Sequence, residues 1–301
     1  MGLNREASGR FFVGIGAPKA ATTWLFRCLK EHPEVFIAAC KETNFFDYAT
    51  IDGRMKEYEA HFAGREAFRT AGEISTRYLS SHRAPARLKA YIPSARLFVS
   101  LRNPVEQVYS HYWHLVRQNF HQWGGAAVPQ SFEEALEQYR DRLLEPAFYH
   151  RHIVRWLQHF DRSQLLILFY DEIRDRPQEV LGTVFSFLGV EASFRPSSTN
   201  KISSSVRLGT SPRSPALGQV YSFLYSRLNL HIYCPLKKLV GTRKAEEIKS
   251  TMKIRELLEF LFRRKGYPEM RSETRRFLQD LFSEDVRQLM RLTGHDLCHW
   301  K

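Results

Sequence analysis

The sequence predicts an α/β protein: a parallel sheet of about five strands flanked by helices, with a helical C-terminal portion. Short apolar runs at residues 10–16, 34–38, 70–74, 95–101 and 164–170 have the length and composition of strands. The segments between them carry apolar residues at helical spacing. At 301 residues and 43% hydrophobic content the chain can bury one large core, so a single domain over residues 1–301 is expected.

The first run, FFVGIG, leads into the loop Ala17-Pro18-Lys19-Ala20-Ala21 and then Thr22-Thr23. Gly14 and Gly16 permit a tight turn and close backbone approach. Thr22 or Thr23 is expected to cap a helix that carries Trp24, Leu25, Cys28 and Leu29 on one side. The N–H groups and positive dipole end of such a helix attract an anion, and Lys19 adds a full charge. A tetrahedral anion is therefore expected at Lys19, Ala20, Ala21, Thr22 and Thr23. The loop is not a Walker A motif, because Ala20-Ala21 separates Lys19 from the threonines.

The second run precedes CKETNFFD, residues 40–47, and the third lies in GEISTRYL, residues 72–79. The fourth ends at Arg102, which falls at the carboxyl end of a strand, where open α/β sheets bind ligands. Asn103 can cap the helix that follows, with Pro104 at its first position, where a missing N–H costs nothing. Ser110 lies about two turns into that helix. The fifth run belongs to WLQHFDRSQLLILFYDEIRDRPQEVLGTVFSFLGV, residues 156–190. The last third is expected to pack on the sheet as a helical lid. Residues 118–145 and 211–269 carry little recognisable signal.

Two of these segments together resemble the sulfotransferases that use 3′-phosphoadenosine 5′-phosphosulfate (PAPS) as donor. Pro18-Lys19-Ala20-Ala21-Thr22-Thr23 is similar to their 5′-phosphosulfate loop, Pro-Lys-x-Gly-Thr-Thr/Ser, with alanine where glycine is commonest. Arg102-Asn103-Pro104 with Ser110 resembles their 3′-phosphate motif. The resemblance extends through residues 156–190 to the closing DLCHW at residues 296–300. It implies a P-loop-like fold, PAPS as donor, PAP (3′-phosphoadenosine 5′-phosphate) as product, and no metal. Lys19 would stabilise the leaving phosphate, Arg102 would grip the 3′-phosphate with its planar fork, and Ser110 would donate its hydroxyl to it. Trp24 occupies the place of an adenine-stacking tryptophan, with core packing as the equal alternative. NKISSSVR, residues 200–207, is similar to the loop that closes over the nucleotide, where Lys201 and Arg207 would add charge.

CKETNFFD resembles the Lys-Glu-x-x-Phe-Phe segment of glycan sulfotransferases, which makes Glu42 the first candidate for general base. The plainer alternative is a surface carboxylate paired with Lys41. His114, four residues after Ser110 on the same helix face, is the second candidate base or an acceptor contact. GEISTRYL resembles Gly-Glu-Lys-Ser-Pro-x-Tyr, but Ile74 replaces the lysine, and Arg77 is the nearest substitute. Glu73 and Tyr78 are retained. The implied acceptor is a hydroxyl, or less readily an amine, of a carbohydrate or glycolipid. Residues 118–145 and 211–269 would face it, and a polyketide or other natural product is the alternative.

A net charge of +13 calls for an anionic partner. The donor meets that need, as would an acidic glycan or lipid. A nucleic-acid-binding protein on a degenerate α/β scaffold is the reading outside the enzyme class, but no zinc finger, helix-turn-helix or aromatic RNA motif stands out. A small-molecule kinase is the rival within it, disfavoured by the missing Gly-Lys-Ser/Thr. Basic residues in 271–291 alternate with acidic ones and read as a solvated helix face. Four scattered cysteines without a CxxC pair suggest reduced thiols and no metal site. No run nears the roughly 18 apolar residues of a membrane span, and no charged-then-apolar leader precedes the first strand, so a cytoplasmic protein is expected.

Overall fold

The computed structural model describes residues 10–118, 129, 131–201, 210–213, 217, 218, 220, 221, 224, 227 and 261–300. By compactness the chain divides into two units, one of residues 1–111, 139–206 and 271–301, the other of residues 112–138 and 207–270.

The first unit is built on five parallel strands: β1 (Arg10–Gly16), β2 (Val35–Ile37), β3 (Thr70–Ile74), β4 (Arg96–Leu101) and β5 (Leu165–Phe169). All five coincide with the apolar runs to within a residue or so at each end. Their spatial order is β2-β3-β1-β4-β5. The connection from β1 leads to one side of the sheet, and β4 and β5 lie on the other. The carboxyl ends of β1 and β4 therefore flank a topological switch point, where such sheets open a crevice.

Helices α1 (Thr22–Glu31), α2 (Met55–Ala60), α3 (Ala84–Tyr91), α4 (Pro104–Gln118), α5 (Phe132–Gln138), α6 (Arg140–Leu144), α7 (Tyr149–Leu157), α8 (Tyr170–Asp175) and α9 (Pro177–Leu188) follow in chain order. Apolar side chains from α1 and α9 close over the sheet in one cluster, with Leu25, Cys28, Leu29, Val184, Phe185 and Leu188 packed against Phe12 and Phe98. Full burial of each large apolar side chain stabilises by roughly 1.5–3 kcal/mol. Burial also pushes the Cys28 thiol up to about 12, so it behaves as an apolar filler. Gly72 is required by close packing: a Cβ there would lie 2.1 Å from the Phe12 carbonyl oxygen on the neighbouring strand.

The C-terminal helix (Ser272–Thr293) makes its main contact with α7, where a lid on the sheet was expected. Phe282 meets Phe148 with ring centroids 4.9 Å apart. Asp285 accepts the N–H groups of His150 (3.0 Å) and Arg151 (3.3 Å), supplying an anion to the start of α7 from another helix. Beyond it, Trp300 is buried against Phe169 and Tyr149, and its indole N–H donates to Asp171 at 3.0 Å.

Among the described residues of the second unit, β6 (Thr210–Pro212) and β7 (Arg263–Lys265) form an antiparallel pair. Trp113 stacks on Tyr267 at 5.7 Å, and Tyr112 packs on Phe132 at 5.3 Å. This unit takes in much of the two segments, 118–145 and 211–269, that carried little sequence signal. No described helix is long and apolar enough to cross a membrane.

Candidate active site

The loop after β1 is held in an unusual backbone conformation. Lys19 and Ala21 have φ of 65° and 64°, in the left-handed region that disfavours residues with a Cβ by about 1–2 kcal/mol each. Ala21 is the residue that stands where the resembling loops have glycine, which accounts for their preference. Ala21 is also the N-cap of α1: its carbonyl accepts from Trp24 (2.9 Å) and Leu25 (3.1 Å), and no side chain caps the helix. The expected threonine cap is thereby corrected. Thr22 is already the first helical residue and is buried, and Thr23 points outward as an exposed residue. A turn of this kind directs backbone N–H groups to a common point at the positive end of the helix.

Three side chains from the β4–α4 segment clamp this loop. Ser100 Oγ donates to the Ala20 carbonyl at 2.6 Å, and the Ser100 carbonyl accepts from Ala17 N–H at 2.8 Å. The Arg102 guanidinium donates to the Lys19 carbonyl at 3.4 Å and lies 4.7 Å from the Tyr170 ring centre, a cation–π contact. Gln107 Nε2 donates to the Pro18 carbonyl at 3.2 Å. Asn103 caps α4 as expected, accepting from Val105 N–H at 3.0 Å. Ser110 is buried in α4 two turns from that cap. The structure thus joins Lys19 and Arg102, far apart in sequence, at one end of the switch point.

Sequence reasoning missed Ser100 and Gln107. A lone hydroxyl in the apolar run LFVSL was a usable signal, since a buried hydroxyl needs a partner. It also missed His111. Its Nδ1 and the Oε1 of Gln107, one turn earlier on the same helix face, are buried without hydrogen-bond partners. Burial first, then the charges of Lys19 and Arg142, depress the His111 pKa to about 4, so the imidazole is neutral near pH 7.

His114 falls in the second unit. Arg117 stands 3.3 Å from its Nδ1, and a guanidinium can only donate, so the imidazole lone pair that a base requires is engaged.

Glu42 follows β2 with φ of 72°. Its N–H donates to the Ile74 carbonyl at 3.0 Å. Its carboxylate accepts from Thr76 Oγ1 at 3.1 Å and pairs with Lys41 at 3.2 Å, with 32% of the side chain exposed. The carboxylate is thus held yet open to solvent, and Lys41 is its surface partner as the plainer reading anticipated.

Two expectations are corrected by burial. Trp24 is 1% exposed, belongs to the core cluster, and donates its indole N–H to the Ser198 carbonyl at 3.1 Å, so it packs the core and presents no open ring face. Ile74 is likewise in the core, whereas Arg77 is 70% exposed and paired with Asp47 at 3.0 Å, so Arg77 does not take over a buried lysine's place. Lys201 ends a 3-10 turn, Thr199–Lys201, and Arg207 lies outside the described residues.

The sheet order, the switch-point loop and its clamp define a P-loop-like α/β fold of the nucleotide-handling kind. A profile of the sulfotransferase domain matches residues 12–210, more than half of the chain, and the chain belongs to this family of PAPS-dependent enzymes. It is similar to the bifunctional heparan sulfate N-deacetylase/N-sulfotransferase 1 of Xenopus laevis, 35% identical over 128 residues that make up 39% of this chain and 14% of that protein. The Mus musculus protein of the same name is 31% identical over 196 residues, 60% of this chain and 22% of that one. The matched part of the chain thus spans less than a quarter of the length of these curated relatives. In fold it resembles the crystal structure of a sulfotransferase from Alicyclobacillus acidocaldarius, with a TM-score of 0.66 at 23% identity, covering 97% of this chain and 98% of that one.

Proposed function

We propose that this sulfotransferase moves a sulfuryl group from PAPS to a hydroxyl of a carbohydrate or glycolipid, with Glu42 as general base and Lys19 offsetting charge on the departing phosphate. The observation that carries the reading is the left-handed turn at Lys19 and Ala21, which opens an uncapped α1 and is clamped by Arg102. That turn suits a phosphosulfate. The guanidinium of Arg102, steadied by Tyr170, suits a second phosphate in bidentate fashion. Orphaned Gln107 Oε1 and His111 Nδ1 add polar capacity beside the loop.

Bound PAPS supplies an activated sulfuryl group. The protein's task is positioning and electrostatics. Glu42 removes the acceptor's hydroxyl proton as the new S–O bond forms, and Lys19 holds positive charge at the oxygen released with PAP. The carbohydrate acceptor is supported by the Glu42 segment and by the heparan sulfate relatives. Because those relatives are named N-sulfotransferases, an amine is the second acceptor to test, ahead of a natural-product hydroxyl.

Calorimetric titration with PAP, beside adenosine 5′-phosphate and ATP, tests the donor. Selective binding of PAP is expected, and equal or absent binding of all three overturns the reading. Transfer from labelled PAPS to N-desulfated heparin, a desulfated glycolipid and a phenol then ranks acceptors. Glu42→Gln is expected to lower turnover by about a hundredfold while PAP affinity stays near wild type. Lost affinity with intact chemistry would remove Glu42 from the role of base.

A further inference from the structure

Glu73 sits within β3 and is 0% exposed, yet its carboxyl receives four hydroxyl groups. Oε1 accepts from Tyr58 at 3.0 Å and Tyr78 at 3.1 Å, and Oε2 from Thr43 at 2.5 Å and Ser75 at 2.7 Å. Three of those hydroxyls in turn accept the N–H groups of three consecutive residues. Asn44 N–H donates to Ser75 Oγ (3.0 Å), Phe45 N–H to Thr43 Oγ1 (3.4 Å) and Phe46 N–H to Tyr78 Oη (3.2 Å).

A hydroxyl carries one hydrogen. Each of the three oxygens takes a backbone N–H, so its own hydrogen is directed to the carboxyl. Thr43 Oγ1 and Tyr78 Oη also lie 3.2 Å apart, but either can donate to the other only by withdrawing from Glu73. One buried carboxyl thus organises the backbone of residues 44–46 through three relays.

Those residues directly follow Glu42. Glu42 itself is tied to the other side of the same cluster, through its N–H to Ile74 and through its carboxylate to Thr76, the neighbours of Glu73 and Ser75 in sequence. Glu42 and Asn44 have φ of 72° and 50°, conformations that persist only where the surroundings hold them. We propose that Glu73 is a positioning residue for the transfer: its hydroxyl relays fix residues 43–46 and so the place at which Glu42 meets the acceptor. This deepens the reading of Glu42 as general base and rests on it.

The proposal singles out a carboxyl. Burial raises the Glu73 pKa, and the four hydroxyl bonds offset only part of that rise. A glutamine of the same shape would face an NH₂ group toward two hydroxyls and leave their hydrogens without an acceptor.

Residue-resolved amide exchange tests the relays in the whole chain without any acceptor. In Glu73→Gln, exchange at Asn44, Phe45 and Phe46 is expected to speed up by about tenfold or more while Phe12 and Val13 in β1 keep their protection. If that variant does not fold, Ser75→Ala removes one relay, and only the Asn44 amide should lose protection. Wild-type exchange at all three amides, or an equal loss in β1, overturns the proposal.

With PAPS and N-desulfated heparin, kcat of Glu73→Gln should fall by about tenfold or more with PAP affinity within about twofold of wild type. A lower Tm with unchanged kcat would mark a merely structural carboxyl and also overturns it. The reading of Glu42 is judged separately: should Glu42→Gln retain wild-type turnover, Glu42 is not the base and Glu73 does not act through it, even where the relays are real.

Discussion

Ala21 carries the cost of the loop after β1 most visibly, because a methyl group stands where the backbone asks for none. Its left-handed φ is tolerated since Ser100, Arg102 and Gln107 hold the carbonyls of Ala20, Lys19 and Pro18 on every side. Lys19 and Arg102 are consequently joined through the backbone, and their proposed tasks differ. Lys19→Ala is expected to reduce turnover by about a hundredfold or more, as expected on removing a charge that acts at a developing anion. Wild-type rates in a transfer assay would remove Lys19 from the chemistry. Arg102→Ala should erase most of the preference for PAP over adenosine 5′-phosphate, a loss of about tenfold or more for one charge-assisted bidentate contact. Retained preference in calorimetry would place the 3′-phosphate elsewhere.

The elements that hold those residues are individually conventional. Asn103 is the cap of α4 and adjoins Arg102, so Asn103→Ala should cost about 1 kcal/mol of stability, measured by urea unfolding, and weaken PAP binding as well. A stability loss with no change in binding would show that Arg102 does not depend on the cap. Strands and caps of this kind were legible because each has a local signature: an apolar run, or an asparagine before a proline. The loop after β1 was legible as a candidate anion site, but its backbone detail was not. Whether Ala21 or a threonine caps α1 depends on a left-handed backbone set by Ser100, about eighty residues away. Glu42 and Lys19 were readable as candidates from their neighbours in sequence. The value of His111 was not, since its neutral state comes from burial beside Lys19 and Arg142. Trp24 shows the limit from the other direction, because an indole after the threonines reads alike whether it stacks on a ligand or fills the core.

At the scale of the molecule, buried histidines set a pH window. His111 and His152 are both depressed to about 4, chiefly by burial. Their ordinary value is near 6.5, so above that pH neither state is protonated and nothing is lost. As pH falls from about 6.5 toward about 4, the unfolded chain takes up protons that the folded one refuses, and stability drops. Each group can contribute roughly 3 kcal/mol at most. Urea midpoints measured from pH 7.5 to 4.5 should therefore decline, and His152→Gln should flatten part of that slope. A midpoint independent of pH would contradict the buried, neutral state of both rings. The charge of +13 acts over a longer range and should speed association with anionic acceptors at low salt.

The position of Trp300 has a consequence for the order in which the protein matures on the ribosome. Its carbonyl accepts from the Asn103 side chain at 3.3 Å, and its ring and N–H cover Phe169 and Asp171 at the end of β5. A nascent chain has both candidate phosphate motifs and all five strands of the parallel sheet in hand long before this residue emerges. Until it does, the Asn103 amide and the end of β5 lack their last partner. The segment that bears Arg102 therefore gains this contact only once residue 300 has left the ribosome.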